Sequence, residues 1–520
     1  MECAEGQLTR VVWLCERLAL LFIVSEQSMN EQRTLPDNRT GISKIDSLTI
    51  FSHAWAAQSM VQLVFYYHWA VDGLILGYIF AALAIAVFMF PGRIWLFAAM
   101  IVSSIAYFVS EWPFVVNHIF IDTFLSVCML AALGLTAFHF WRSKEPFDRQ
   151  IADAWFQKFA PVCGAIFAFL YFSIIISKLN AGFFDLSISC LYGMIEEAHA
   201  ERPYISPFLS LASVEFFFWF FMVAEALLPV MLAFRRTRLV AFYFGVPFHI
   251  LLGLMGHWPF SSFMISLYML VAMPSLVEVV RSGAGYLDRL REKLLPSTPA
   301  PLAFAACSGL LLASAVPLKP SLVWLVWTVV ASAAILFAVV REHWRHGLFA
   351  GTGVTEMWTA KPGVLWVFFA LVVLNSASPY IGFKTENNVA MYSNMRTEGG
   401  VNNHLLLPAV PLFHFQDDLV EVVDSNNEEI LKLKTHPARY GFVGQEFDVY
   451  VTYFELRRAV NEVEDPDLEI TYLRNGEMRT FKRGAEDNAD ANLDVPLPLL
   501  LEKVGYFRPV FKGEVSYCLH

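Results

Sequence analysis

Apolar residues in this chain are gathered into runs as long as a bilayer is thick, and the runs stop near residue 383. Crossing about 30 Å of hydrocarbon takes roughly 20 residues at 1.5 Å each. On that measure the pattern predicts about eleven spans: 50–67, 70–90, 94–111, 115–140, 159–178, 207–234, 239–256, 259–280, 301–317, 320–340 and 364–383. The first is the weakest, because Ser52, His53, Gln58 and Gln62 interrupt it. From 384 onward the pattern changes period. Leu468–Arg474 alternates as a strand does, Asn475-Gly476 is the dipeptide of a type I′ hairpin turn, and Met478–Phe481 returns. Tyr453 to Val463 reads as a short amphipathic helix. The expected fold is mostly α: a polytopic transmembrane helical bundle with a small C-terminal α+β extracytoplasmic domain. Its expected divisions are a cytoplasmic segment 1–46, a transmembrane domain 47–282, further transmembrane helices in 283–383, and the α+β domain 384–520.

Charge orients these elements. One set of connecting loops carries Arg93, Arg142, Lys144, Arg149, the Arg235–Arg238 cluster, Arg281, Arg289, Arg291, Lys293, Arg341, Arg345 and Lys361. The alternate set is poor in positive charge: 111–113, 180–206, 256–258 and 317–320. The positive-inside rule puts the first set in the cytoplasm, which leaves the N-terminus inside and 384–520 outside. Composition agrees with a membrane protein: 57% of residues are hydrophobic and 16% charged, against about 25% charged in soluble chains, and mean hydropathy is +0.50. The net charge of −10 comes with no basic block that could follow a nucleic-acid backbone, so no nucleic-acid partner is expected. Leu18–Val24 is too short an apolar stretch for a signal peptide, and Met29 is an alternative start. The Asn38-Arg39-Thr40 sequon falls on the cytoplasmic side, where it is silent.

The seven cysteines show no CxxC and no spacing with histidine that would hold zinc, so no metal is expected. Cys190 and Cys518 alone fall in polar segments on the outer side, where a disulfide can form.

Ionisable groups inside apolar runs are the functional candidates. They are His118 and Asp122 on the fourth span, Lys178 at the end of the fifth, Glu215 and Glu225 on the sixth, and His249 on the seventh; Asn117 adjoins His118. By helical rise, His118 lies roughly 5 Å and Asp122 roughly 10 Å below the outer boundary, with Glu215 and His249 near 10–12 Å. Glu225 falls nearer the inner half. Most of these groups therefore share one outer layer, either as a polar cavity or as interhelical hydrogen-bonding glue worth about 1 kcal/mol per contact. Asn117, His118, Lys178 and His249 are expected to converge on one outer pocket. A lysine acting there as a base must be free of a tight carboxylate.

Asn117-His118, Tyr171-Phe172…Lys178-Leu179, the span of Glu225, and Phe248-His249 follow one another in an order that resembles the vitamin K-dependent gamma-glutamyl carboxylases and, more closely, their bacterial relatives with an HTTM domain. The resemblance covers roughly residues 47 to 282. It implies that Lys178 is the base that deprotonates reduced vitamin K, a menaquinol-type quinol in a bacterial inner membrane, with His118 assisting. Asn117, His249 and Glu215 would then line the cofactor's cavity. Such an enzyme is a lyase that uses the quinol, oxygen and carbon dioxide to carboxylate glutamates of a polypeptide, here a substrate or partner at 384–520. Where the eukaryotic pattern continues with an acidic residue and a tryptophan, this chain has Asn180-Ala181-Gly182-Phe183-Phe184. A second reading is a non-enzymatic protein that binds membrane lipid or quinone, or scaffolds a partner. A transporter is disfavoured, because the chain lacks an inverted repeat.

Overall fold

The structure, a computed structural model, describes residues 46–66, 68–144, 150–281, 320–347, 353–359, 361, 363–437, 446–513 and 517–518. Met29, the Asn38 sequon, the span expected at 301–317, and Cys3, Cys15 and Cys307 lie outside those residues. The main helices are α1 (Ser47–Phe65), α2 (Ile75–Met89), α3 (Ile94–Glu111), α4 (Asn117–Ser143), α5 (Gln150–Ser177) and α6 (Cys190–Glu201). They continue with α7 (Val214–Ala233), α8 (Arg238–Leu254), α9 (Trp258–Val271), α10 (Pro320–His346), α11 (Trp366–Ala377) and α12 (Tyr453–Glu462).

Among the described residues, α3, α4, α5 and α7 are long and apolar enough to cross a membrane. α9 and Met273–Arg281, bent by 84°, make a fifth candidate if the pair is one broken span rather than a re-entrant loop. The expectation of about eleven is not met. The runs at 70–90, 239–256 and 364–383 fold as helices of 15, 17 and 12 residues. A 15-residue helix is only about 22 Å long. Counting a run also counts the apolar residues of its turns: Ser378, Tyr380 and Ile381 bond back to Asn375 and Ala377 and leave the helix.

The described residues form two compact units, one within 1–107, 123–165 and 231–366, the other within 108–122, 166–230 and 367–520. In the first, Asp46 caps α1 by accepting from the Thr49 amide at 2.7 Å. The polar residues that weakened α1 as a span are turned inward. Gln62 donates to Gln58 and to the Pro259 carbonyl. Phe51 packs against Trp55, Phe97, Phe156 and Phe159. α8 lies close on α9 because Gly245 has no side chain; a Cβ there would sit 2.0 Å from the Tyr268 ring. Arg238, only 2% exposed, donates to the carbonyls of Leu232 and Ala233 at the end of α7 and to that of Thr355. A cation on the last carbonyls of a helix is favoured by their partial negative charge.

The second unit carries an antiparallel sheet in the order β2-β3-β1-β4-β5, with β6 also on β3. The strands are β1 (Leu419–Ser425), β2 (Thr435–Pro437), β3 (Glu446–Thr452), β4 (Glu469–Arg474), β5 (Glu477–Lys482) and β6 (Val510–Phe511). The β4–β5 hairpin pairs Arg474 with Glu477 and turns on Asn475 and Gly476. Both have positive φ, 54° and 79°, as a type I′ turn requires. α12 starts on Thr452, whose side chain accepts from the Glu455 amide. It buries Leu456 and Val460 against Val420, Ile470 and Phe481 of the sheet.

α7 shows how one helix of this unit meets two surroundings. Phe216, Trp219, Val223, Leu227 and Val230 recur every three or four residues and are about half exposed. Such a stripe suits lipid contact. Phe217, Phe218, Phe221 and Glu225 face inward and are buried.

Candidate functional site

α5 ends where Asn180 begins to supply hydrogen bonds to the backbone. Its Oδ1 accepts from the Phe183 amide at 2.8 Å and opens the short turn Ala181–Phe184. Its Nδ2 donates to the carbonyls of Ser177 and Ser393. The segment near 404 closes over the same helix end: the Leu405 amide donates to the Leu179 carbonyl, and His404 Nε2 lies 2.8 Å from the Ile176 carbonyl. Asn180 thus does conformational work, and Lys178 projects from a fixed helix terminus.

Lys178 is 3% exposed. Its Nζ donates to Glu225 Oε2 at 2.5 Å and lies 5.6 Å from the centre of the Phe183 ring. Phe183 packs in turn on Phe218, and Phe184 stacks on Trp219. The expectation of a lysine free of any tight carboxylate is therefore corrected. The partner lies 47 residues away, on the inward face of α7. Of the pair, the glutamate side chain is the more exposed, at 11% against 4%.

The remaining sequence candidates are distributed differently. Asn117, His118 and Asp122 are buried at the start of α4, in the same unit as Lys178. Asn117 Oδ1 accepts from the Val389 amide at 2.9 Å. Val389 has φ +72°, a costly conformation for a β-branched residue, and the bond to Asn117 helps to hold it. Glu215 is exposed on the first turn of α7, where a carboxylate complements the helix N-terminus. His249 belongs to the first unit, fully buried, with its ring against Phe248, Phe260 and Tyr268. Asn117, His118 and Lys178 thus share a unit, and His249 is placed in the other. Among the described residues no three His, Cys, Asp or Glu side chains are grouped to hold a metal.

Two groups went unmarked in the sequence reading. Lys384 is 1% exposed, its Nζ has no hydrogen-bond partner among the described residues, and it lies 4.0 Å from the centre of the Phe120 ring. Burial drags its ammonium down to about 7, with Glu386 pulling weakly the other way. Burial pushes the Glu386 carboxyl up to about 7, against the pull of Arg508. The signal for Lys384 was the one that singled out Lys178: a lysine closing an apolar run.

A depressed lysine has a signed consequence. Between about 7 and the ordinary 10.5 the unfolded chain holds more protons than the native one at this group. Lys384 therefore adds stability as pH rises through that window, at up to about 1.4 kcal/mol per pH unit. The difference in unfolding free energy between wild type and Lys384→Met should grow in the wild type's favour from pH 7 to 10. A difference independent of pH would exclude the buried free amine.

Cys190 and Cys518 form a disulfide, Cα to Cα 5.0 Å, across a sequence separation of 328. It ties the first residue of α6 to the C-terminal end of the chain. Asn394 Oδ1 accepts from the Cys190 amide at 2.8 Å. Cys128 and Cys163 are buried free thiols. Comparisons of the chain with family models, with curated proteins and with solved structures each gave no match.

Proposed function

We propose that the chain is an integral membrane protein whose second unit faces the extracytoplasmic side and binds a lipid-soluble, menaquinol-type quinol at Lys178 and Glu225, where a proton is removed from it. The carrying observation is the dry ion pair itself, 2.5 Å long and walled by Phe183. Flat aromatic walls suit a quinone ring. Lys178 is the base that the carboxylase resemblance implies, and Glu225, its acceptor at 2.5 Å, must release it for that role. His118, buried in the same unit, is the assisting group that the carboxylase resemblance implies.

The side of the membrane is supported by two independent features, the alternation of Arg/Lys-rich loops and the Cys190–Cys518 bond. Disulfides persist in oxidising compartments. By the resemblance, the reaction is a lyase-type carboxylation of a polypeptide held by residues 384–520, with oxygen and carbon dioxide as co-reactants. In detergent with menaquinol and labelled bicarbonate, the wild type should transfer label to a glutamate-rich peptide. Lys178→Arg keeps the charge but cannot act as a base near neutral pH, and should lower the rate at least about 100-fold, the usual scale for a lost acid–base group. Equal rates for the two proteins would remove Lys178 from the chemistry.

A further inference from the structure

We propose that residues 405–413 form a loop that dips into the outer leaflet of the membrane, with lipid acyl chains as its binding partner. Leu405, Leu406, Leu407, Val410, Leu412 and Phe413 are each at least 40% exposed. No Asp, Glu, Lys or Arg falls between Gly399 and Gln416. Large apolar side chains are thus presented outward with no charge among them. A loop that meets water has the opposite composition, and contiguous apolar surface of this kind marks a contact.

The backbone is prepared for that surrounding. The Leu405 amide donates to the Leu179 carbonyl, the Val410 amide to that of Tyr380, and the Leu412 and Phe413 amides to that of Ile381. Gly382 admits this close pairing: its φ is +78°, and a Cβ there would lie against the Phe413 carbonyl oxygen. The amides of Leu406 and Leu407 share Nδ1 of His404, whose Nε2 donates to the Ile176 carbonyl at 2.8 Å. Asn402 Nδ2 donates to the Leu407 carbonyl at 2.8 Å. Pro408 and Pro411 have no N–H to satisfy. With these donors used internally, the backbone loses little on leaving water, and the apolar side chains gain.

The same bonds fix the loop's depth. Ile176 and Leu179 lie at the end of α5, a helix long and apolar enough to cross a membrane. Tyr380 and Ile381 follow the apolar helix α11. The loop is therefore strung across the ends of two apolar helices. Phe172 on α5 and Leu374 on α11 are exposed and lie within about two turns of those ends. Lipid in contact with these side chains borders the loop, which selects lipid over a second copy of the chain or a soluble polypeptide. Acyl chains rather than headgroup charges are the ligand, since no Lys or Arg occurs from 397 to 431 to attract anionic headgroups. This contact rests on the protein's being embedded with its second unit outside, and not on quinol chemistry at Lys178.

The test places the photoreactive residue benzoylphenylalanine at Leu406 or, separately, at Leu412 of the full chain in phosphatidylcholine vesicles. Both leucines are exposed, so neither change disturbs the core; should one variant fail to fold, the other decides. Illumination should attach lipid acyl chains at either position, read by mass spectrometry of the modified peptide, with a yield like that of the same residue at Phe172. At Met478, exposed on β5, lipid adducts should be lost altogether. Adding anionic phosphatidylglycerol should leave the yields unchanged, and a dependence on it would overturn acyl chains as the ligand. Adducts at Phe172 with none at Leu406 and Leu412 would overturn the loop alone, as would crosslinks from the loop to a second chain in place of lipid. Absence of lipid at Phe172 as well would overturn the membrane setting and the loop with it.

Discussion

Glu225→Leu should cost the protein about 3–5 kcal/mol of unfolding free energy, because it strands the Lys178 ammonium in a dry site. The wild-type lysine is 3% exposed and the carboxylate is its hydrogen-bond acceptor at 2.5 Å. The Phe183 face, 5.6 Å away, replaces little of that interaction. Removing both charges is a different experiment. Lys178→Met with Glu225→Leu leaves no unpaired ion and keeps most of the volume, so the double variant should recover most of the loss. Recovery separates a buried pair from a surface pair, which is worth at most about 1 kcal/mol. Denaturant titration of the four proteins reads the coupling directly; a cost for Glu225→Leu below about 1 kcal/mol would mean that water reaches the pair.

The second large effect is expected at the disulfide. Cys518→Ser opens a closed loop of more than three hundred residues and should destabilise the protein by about 2–5 kcal/mol. Loss of the link also releases the C-terminal end from α6. In the wild type, alkylation without reductant should leave Cys190 and Cys518 unmodified under denaturing conditions, while Cys128 and Cys163 react. Alkylation of Cys190 in unreduced wild type would show the bond to be absent.

Parts of this fold were legible residue by residue. The β4–β5 hairpin was readable because its signal is local: two alternating runs meet at Asn475-Gly476, and both residues adopt the positive φ that the turn demands. The helix from Tyr453 was equally local. The pairing of Cys190 with Cys518 was narrowed by compartment alone, since loop charge left only these two thiols on the oxidising side. Their contact across 328 residues was not derivable from spacing.

What failed was whatever depends on distance in the chain. Lys178 was recognised, but its partner Glu225 comes from another helix. The sequence ruler placed that residue toward the inner half of the membrane, away from Lys178. The same ruler overcounted spans, since it could not see that 378–383 turns away from α11 or that residues around 72–74 break the run ahead of α2. Asn117 was read as a cavity group, yet its side chain serves a strained backbone amide 272 residues away. Lys384 was overlooked because it lies at a boundary where a lysine commonly reaches out to water, and only the packing shows it turned inward on Phe120.

Lys178 and Glu225 are proposed as a ligand site rather than a bolt between helices. The direct measurement is mass spectrometry of quinones carried through purification from the native membrane by the wild type and by the Lys178→Met, Glu225→Leu double variant, matched for folding by its unfolding midpoint. Bound quinone in the wild type and its loss from the folded double variant is the result predicted. Quinone absent from the wild type, or held equally by both proteins, would contradict it.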